Sequence, residues 1–167
     1  MPITPYHFGP AAALALPLRK YLDIPVFVLA NVVIDIEPVS VVLLGLNYPL
    51  HGYAHTLLVG GILGACWGVI AYKFKGHLKK LMNILRLDYL PSLKTAVLSG
   101  VLGAWLHVIL DSPLYSDIRP LFPLPFNPLH GLFTHFQVYD FCKWCFLPAI
   151  IMYLFIILRK GKKWQNI

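Results

Sequence analysis

Charge is scarce in this chain of 167 residues: Asp, Glu, Lys and Arg together make up 13% of it, and only seven residues are acidic. Soluble domains carry about 25% charged residues, so a polar-surfaced globule is excluded and lipid must cover much of the surface. Cysteine is sparse too, with three unevenly spaced residues, which excludes a disulfide-stapled scaffold. The opening MPITPYHFGP has neither a basic stretch nor an apolar run ahead of its prolines, so it does not read as a cleavable signal peptide. Internal repeats and low-complexity tracts are absent from the sequence.

What is present is apolar. Hydrophobic residues make up 58% of the chain, and its mean hydropathy is +0.69. Four segments, at about 24–46, 53–72, 93–111 and 138–158, are long enough to cross a bilayer. A fifth, 8–18, is too short and contains Pro10 and Pro17, which suits a re-entrant or interfacial helix. Five prolines between 112 and 137 prevent one continuous helix there and predict an ordered cap or loop. The expectation is one all-α domain over 1–167, a polytopic membrane bundle of about four spanning helices plus the short N-terminal helix.

Orientation follows from the basic residues, because short loops rich in Lys and Arg stay in the cytoplasm. Arg19 and Lys20, then Lys73, Lys75, Lys79, Lys80, Arg86 and Lys94, then Arg159, Lys160, Lys162 and Lys163 all fall on one side of the predicted spans. Only Arg119 and Lys143 fall on the other. A multi-pass protein of a prokaryotic cytoplasmic membrane with a cytoplasmic C-terminus is expected. The basic loop around 73–94 sets orientation and suits contact with anionic lipid better than contact with nucleic acid.

On the outer side the titratable residues gather: His51, His55, His107, Asp111, Asp117, His130, His135 and Asp140. Asp35 and Glu37 lie inside the first apolar segment, where an unpaired carboxylate costs about 3 kcal/mol and by default marks a functional site facing the protein interior. His107 and Asp111 are four residues apart, hence on one helix face, a spacing suited to clamping one ion. His51 and His55 repeat that spacing if their segment is helical. Pro38 predicts that the helix of the first segment ends near Glu37, freeing that carboxylate to turn toward the same pocket. Imidazole and carboxylate donors without thiolate suit zinc, manganese or iron. The C-x-x-C at Cys142 and Cys145 lies in an apolar helix and reads as packing, and the glycines of the second and third spans read as close helix contacts.

These elements, Tyr6-His7-Phe8-Gly9, Asp35-Ile36-Glu37-Pro38, Gly52-Tyr53-Ala54-His55-Thr56 and His107-x-x-x-Asp111 before a proline-rich stretch, resemble the YdjM-like family of inner-membrane metal-dependent hydrolases. In order and spacing that family is distantly similar to zinc-dependent phospholipase C and the P1-type nucleases. The resemblance implies His7, Asp35, His55, His107 and Asp111 as ligands of a divalent metal, zinc before manganese or iron, with Glu37 and His51 as outer-shell or additional ligands and as the catalytic candidates. The commoner family form is H-R-G-x-T-H; here His51 stands in the place of its arginine and Leu50 in that of its first histidine. The implied activity is hydrolysis of a phosphoester at the outer face, on an amphiphile such as a phospholipid or polyprenyl phosphate whose tail stays in membrane lipid. Two other classes fit the same residues: an ion or proton transporter, and a non-catalytic scaffold stapled by a structural metal.

Overall fold

The computed structural model describes residues 4–164. A 3-10 turn over Thr4–His7 leads into α1 (Phe8–Ala15), followed by α2 (Ile24–Leu44), a second 3-10 turn (Tyr53–His55), α3 (Leu57–Lys73), α4 (Lys75–Ile84), α5 (Leu93–Asp111) and α6 (His135–Trp164). The fold is all-helical among the described residues. Helices α2 and α5 and the His135–Arg159 part of α6 are long and apolar enough to cross a membrane, and the pair α3 and α4, bent by 80°, adds a fourth crossing if taken as one span.

Local chemistry fixes most helix ends. The Asp23 carboxylate accepts the Val26 N–H at the start of α2, Pro25 follows in the first turn, and Gly45 ends the helix in the left-handed conformation at φ 59°. Thr56 caps α3 by accepting the Val59 N–H, and Ser92 with Thr95 forms a capping box at α5.

Small residues set the packing. Along the crossing of α3 and α5, Gly64 and Gly100 place their backbones in direct contact, and a Cβ on either would collide with the other's carbonyl. Gly103 does the same against α2, where an added Cβ would meet the Phe27 carbonyl and the Ala30 Cβ. Between helices in lipid, where hydrophobic burial gives no advantage, this close backbone approach is what holds a bundle together. Helix α1 lies within the bundle: Gly9 abuts the Cys142 carbonyl of α6, while Ala11 and Ala15 pack with Phe27 of α2.

Val26, Ala71 and Ala96 meet in one cluster, so the starts of α2 and α5 share an end of the bundle with the close of α3. Leu16, Met82, Leu87, Tyr89, Ala149 and Ile156 extend that end. Here the buried Asp23 accepts the Tyr89 hydroxyl at 2.9 Å, while its own N–H donates to Ser99 Oγ at 2.7 Å. Burial pushes the Asp23 carboxyl up from its ordinary value, and burial together with the neighbouring Asp23 charge pushes the Tyr89 hydroxyl up. Asp23→Ala removes a helix cap and leaves a tyrosine hydroxyl without its acceptor. It should cost about 1–3 kcal/mol, read as a lower thermal midpoint in detergent with metal content unchanged.

Three expectations need correction. Helix α2 does not end at Pro38 but runs through it to Leu44. Ending there would strand several carbonyls in hydrocarbon, whereas continuing forfeits a single backbone hydrogen bond. The segment after α3 is not simply a loop, since α4 buries Met82 and part of Leu78 beneath the bundle and keeps Lys79 and Lys80 exposed. The 51–55 stretch is not an α-helix; only Tyr53–His55 makes a 3-10 turn. The proline-rich segment is an ordered cap as expected, tied to the end of α5 by Asn127 Nδ2 donating to the Ser112 carbonyl and by Gly131 N–H donating to the Pro113 carbonyl.

Candidate metal centre

Asp35 of α2, His55 from the turn ahead of α3, and His107 and Asp111 of α5 converge, each offering one donor atom within 4.8 Å of the others. His107 Nε2 lies 3.3 Å from Asp35 Oδ1 and 3.3 Å from Asp111 Oδ2, and His55 Nε2 lies 3.9 Å from Asp35 Oδ1. Atoms bound at about 2.0–2.1 Å to one tetrahedral ion stand about 3.3 Å apart, which is the spacing around His107. The backbone brings the four together simply. His107 and Asp111 share a face of α5, the α3–α5 crossing holds the turn at His55 against that face, and the α2–α5 contact supplies Asp35.

The donor atoms are poorly served by each other. His55 Nε2, His107 Nε2 and Asp111 Oδ1 are buried and make no hydrogen bond. Among the described residues their only partners are ion-pair contacts at 3.3–3.9 Å with one another, with Asp35 and with His7, and a cation among them would serve all of them at once. Two carboxylates also match the charge of a divalent ion. On burial, spacing and donor chemistry, these residues fit a metal.

The tautomer of His55 is set from behind. Its Nδ1 donates to Glu37 Oε2 at 3.1 Å, so the Nε2 lone pair faces Asp35 and His107. Glu37 also accepts the backbone N–H groups of Gly52 at 3.0 Å and Ala54 at 3.1 Å. Two residues apart on a continuous helix, Asp35 and Glu37 point about 160° away from each other. The turn at 53–55 crosses α2 so that the two nitrogens of one imidazole meet the two acids. His7 stands behind His107: their Nδ1 atoms are 3.1 Å apart, and His7 Nε2 lies 3.3 Å from Asp111 Oδ1. It is therefore in the cluster, at its margin and outside the group of four.

His51 sits beside His55, their rings edge to face at 4.8 Å, but its Nδ1 donates to Asp117 Oδ1 at 3.0 Å. Its backbone N–H donates to Asp117 Oδ2, also at 3.0 Å. On its other side His51 lies against the Tyr115 ring, 4.1 Å between centroids. Burial, and then the Asp111 charge, pushes the Tyr115 hydroxyl above its ordinary value, so that it stays protonated.

In the sequence Asp117 stands among the outer carboxylates without a role, and Tyr115 does not stand out at all. Neither carries a short-range signal, because Asp117 meets His51 across 66 residues. His130 and His135 stay outside the group of four; His135 packs edge-on to Tyr115 at 5.9 Å. No family model, curated protein or solved structure matches the chain.

Proposed function

We propose that this protein is a membrane-embedded, metal-dependent hydrolase acting on the phosphoester of an amphiphile at the outer face of a prokaryotic cytoplasmic membrane, with its C-terminus in the cytoplasm. The observation that carries the reading is the set of buried, unbonded donor atoms on His55, His107 and Asp111, beside Asp35, in a chain built of membrane-length helices. Two imidazoles and two carboxylates favour zinc, with manganese or iron as alternatives. Orientation rests on the basic residues, most of which lie at the bundle end opposite the cluster.

In this reading Asp35, His55, His107 and Asp111 would hold the ion, whose chemistry there would be to acidify a water and polarise a phosphoryl oxygen. Glu37 is a positioning residue, since both its oxygens are engaged in fixing His55 and the turn before it. His7 supports His107 from its far nitrogen, the outer-shell arrangement that orients metal-bound imidazoles. His51, with Nδ1 held by Asp117 and its ring edge to face with that of His55, is the proton-transfer group of this reading. An apolar groove of about 640 Å³ runs between α1, α5 and α6, with Pro10, Leu106, Leu110 and Phe141 on its walls. Its apolar character is what the hydrocarbon tail of an amphiphile would need. Unlike a transport pathway, the cluster is confined to one end of the bundle.

Protein purified in detergent without chelator should hold divalent metal bound to the chain, counted by elemental analysis. It should hydrolyse phosphatidic acid or p-nitrophenyl phosphate, lose that activity on chelation and regain it with zinc or manganese. Bound metal with no turnover of any phosphoester would leave only the helix-stapling role, and metal flux into liposomes without hydrolysis would favour transport.

A further inference from the structure

Next to the cluster, and outside the group of four, lies a pocket of about 290 Å³ formed by the turn before α3 and the cap segment; its walls include Tyr48, His51, Tyr53, Asp117, Arg119 and Phe122. Arg119 is one of only two basic residues on the outer side of the sequence, and it lines this pocket. The carboxylate nearest it in sequence, Asp117, gives both oxygens to His51, and among the described residues no acidic group pairs with Arg119. An exposed arginine on the wall of a pocket, with its neighbouring carboxylate already engaged, suits an incoming anion.

The rest of the pocket agrees. The Tyr48 hydroxyl accepts the Tyr53 N–H at 3.2 Å, which leaves its proton to donate elsewhere. Gly52 makes room for that ring, since a Cβ there would run into Tyr48. Tyr53 and Phe122 stand edge to face at 5.1 Å and give the pocket an aromatic wall. Buried His51 closes the side toward the metal cluster, its ring against His55.

We propose that this pocket is an anion subsite in which Arg119 and the Tyr48 hydroxyl bind the phosphate of a phosphomonoester, and so select the substrate. This deepens the hydrolase reading and rests on it for the chemistry after binding, but the subsite can be tested without any turnover. The shared chemistry is the phosphate; its source is either a lipid headgroup or a soluble ester.

Calorimetric titration with inorganic phosphate should be run on wild type, Arg119→Gln, Arg119→Lys and Lys143→Gln in detergent, with metal counted in each. Lys143→Gln removes the other outer basic charge, on α6 and away from the pocket walls. Arg119 is exposed, so its loss should not disturb folding. Arg119→Gln should weaken phosphate binding about tenfold or more at unchanged metal content. Arg119→Lys should fall between the two, and Lys143→Gln should match wild type. Equal phosphate affinity in wild type and Arg119→Gln, or no phosphate binding by wild type, would overturn the proposal. Phosphatidic acid in mixed micelles and glycerol phosphate in solution then separate the sources; dependence of either on Arg119 supports the subsite. The two readings fail separately. Arg119-dependent phosphate binding without turnover keeps the subsite and removes the hydrolase, whereas turnover with an unchanged KM in Arg119→Gln does the reverse.

Discussion

Asp111→Asn should purify folded and nearly without metal. The substitution preserves shape and removes one of the two negative charges that face the proposed ion. It also leaves only an amide oxygen where a carboxylate oxygen stood 3.3 Å from His107 Nε2. Removing an outer-shell partner alone weakens metal affinity by about 10–100-fold, so loss of a charged donor should cost at least about 100-fold. Asp140→Asn is the proper control, because Asp140 is exposed and paired with Lys143 on the surface of α6. Asp117→Asn is not, given its hold on His51. Metal per chain for wild type and both variants, with thermal unfolding alongside, decides the matter. Wild-type metal content in Asp111→Asn would remove the proposed centre. The same preparation offers a stability readout, since an ion that binds only the folded chain should raise the wild-type midpoint and leave that of Asp111→Asn unmoved.

Gly100→Leu should do broader damage. The Gly100 and Gly64 backbones touch, and a Cβ on Gly100 would collide with the Gly64 carbonyl and approach Gly68 N at 3.2 Å. No flexible side chain is there to yield, so a leucine must separate the two helices along the whole crossing. Overpacking usually costs about 1–3 kcal/mol, and backbone against backbone belongs at or above the top of that range. Because the turn bearing His55 is carried on α3 while His107 and Asp111 are carried on α5, the donor set is pulled apart as well. The expected result is a sharp fall in thermal midpoint together with metal loss, in contrast to Asp111→Asn, which loses metal alone. Gly76→Leu on α4, where nothing lies within 4 Å of an added Cβ, should be close to neutral. A Gly100→Leu protein with wild-type unfolding would mean that the α3–α5 contact is looser than described.

The parts of this protein that were legible in its sequence are those governed by local rules. Long apolar runs set α2, α3 and α5 to within a few residues, while α6 continues six residues past the end of its apolar run; four-residue spacing put His107 and Asp111 on one face. The resemblance put His7 among the ligands, and segment 8–18 read as a re-entrant or interfacial helix; in the structure the eight-residue α1 packs against α2 and α6, and His7 Nδ1 comes within 3.1 Å of His107 Nδ1. Helix α4 went unseen because its charge reads as an exposed loop, although Leu78, Met82 and Leu85 recur at helical spacing. The passage of α2 through Pro38 was misjudged by a rule learned in water, where an interrupted helix finds solvent to bond. In lipid it does not. The pairing of His51 with Asp117 depends on how the cap folds back over the turn at 53–55, and no local pattern encodes it.

Helix α3 has 17 residues where α6 has 30. At 1.5 Å per residue α3 reaches about 25 Å, short of a hydrocarbon core of about 30 Å. A bilayer meeting a span that is too short thins locally or tilts its neighbours, at a cost of fractions of a kcal/mol per ångström. If α3 makes the crossing without α4, the membrane should be thinnest along the flank where the donor cluster and the Arg119 pocket lie, because the His55 turn sits immediately ahead of α3. In the proposed hydrolase, a headgroup from the adjoining leaflet would then be lowered toward the donor cluster by the lipid itself, and activity should rise or fall with the acyl-chain length of the surrounding bilayer.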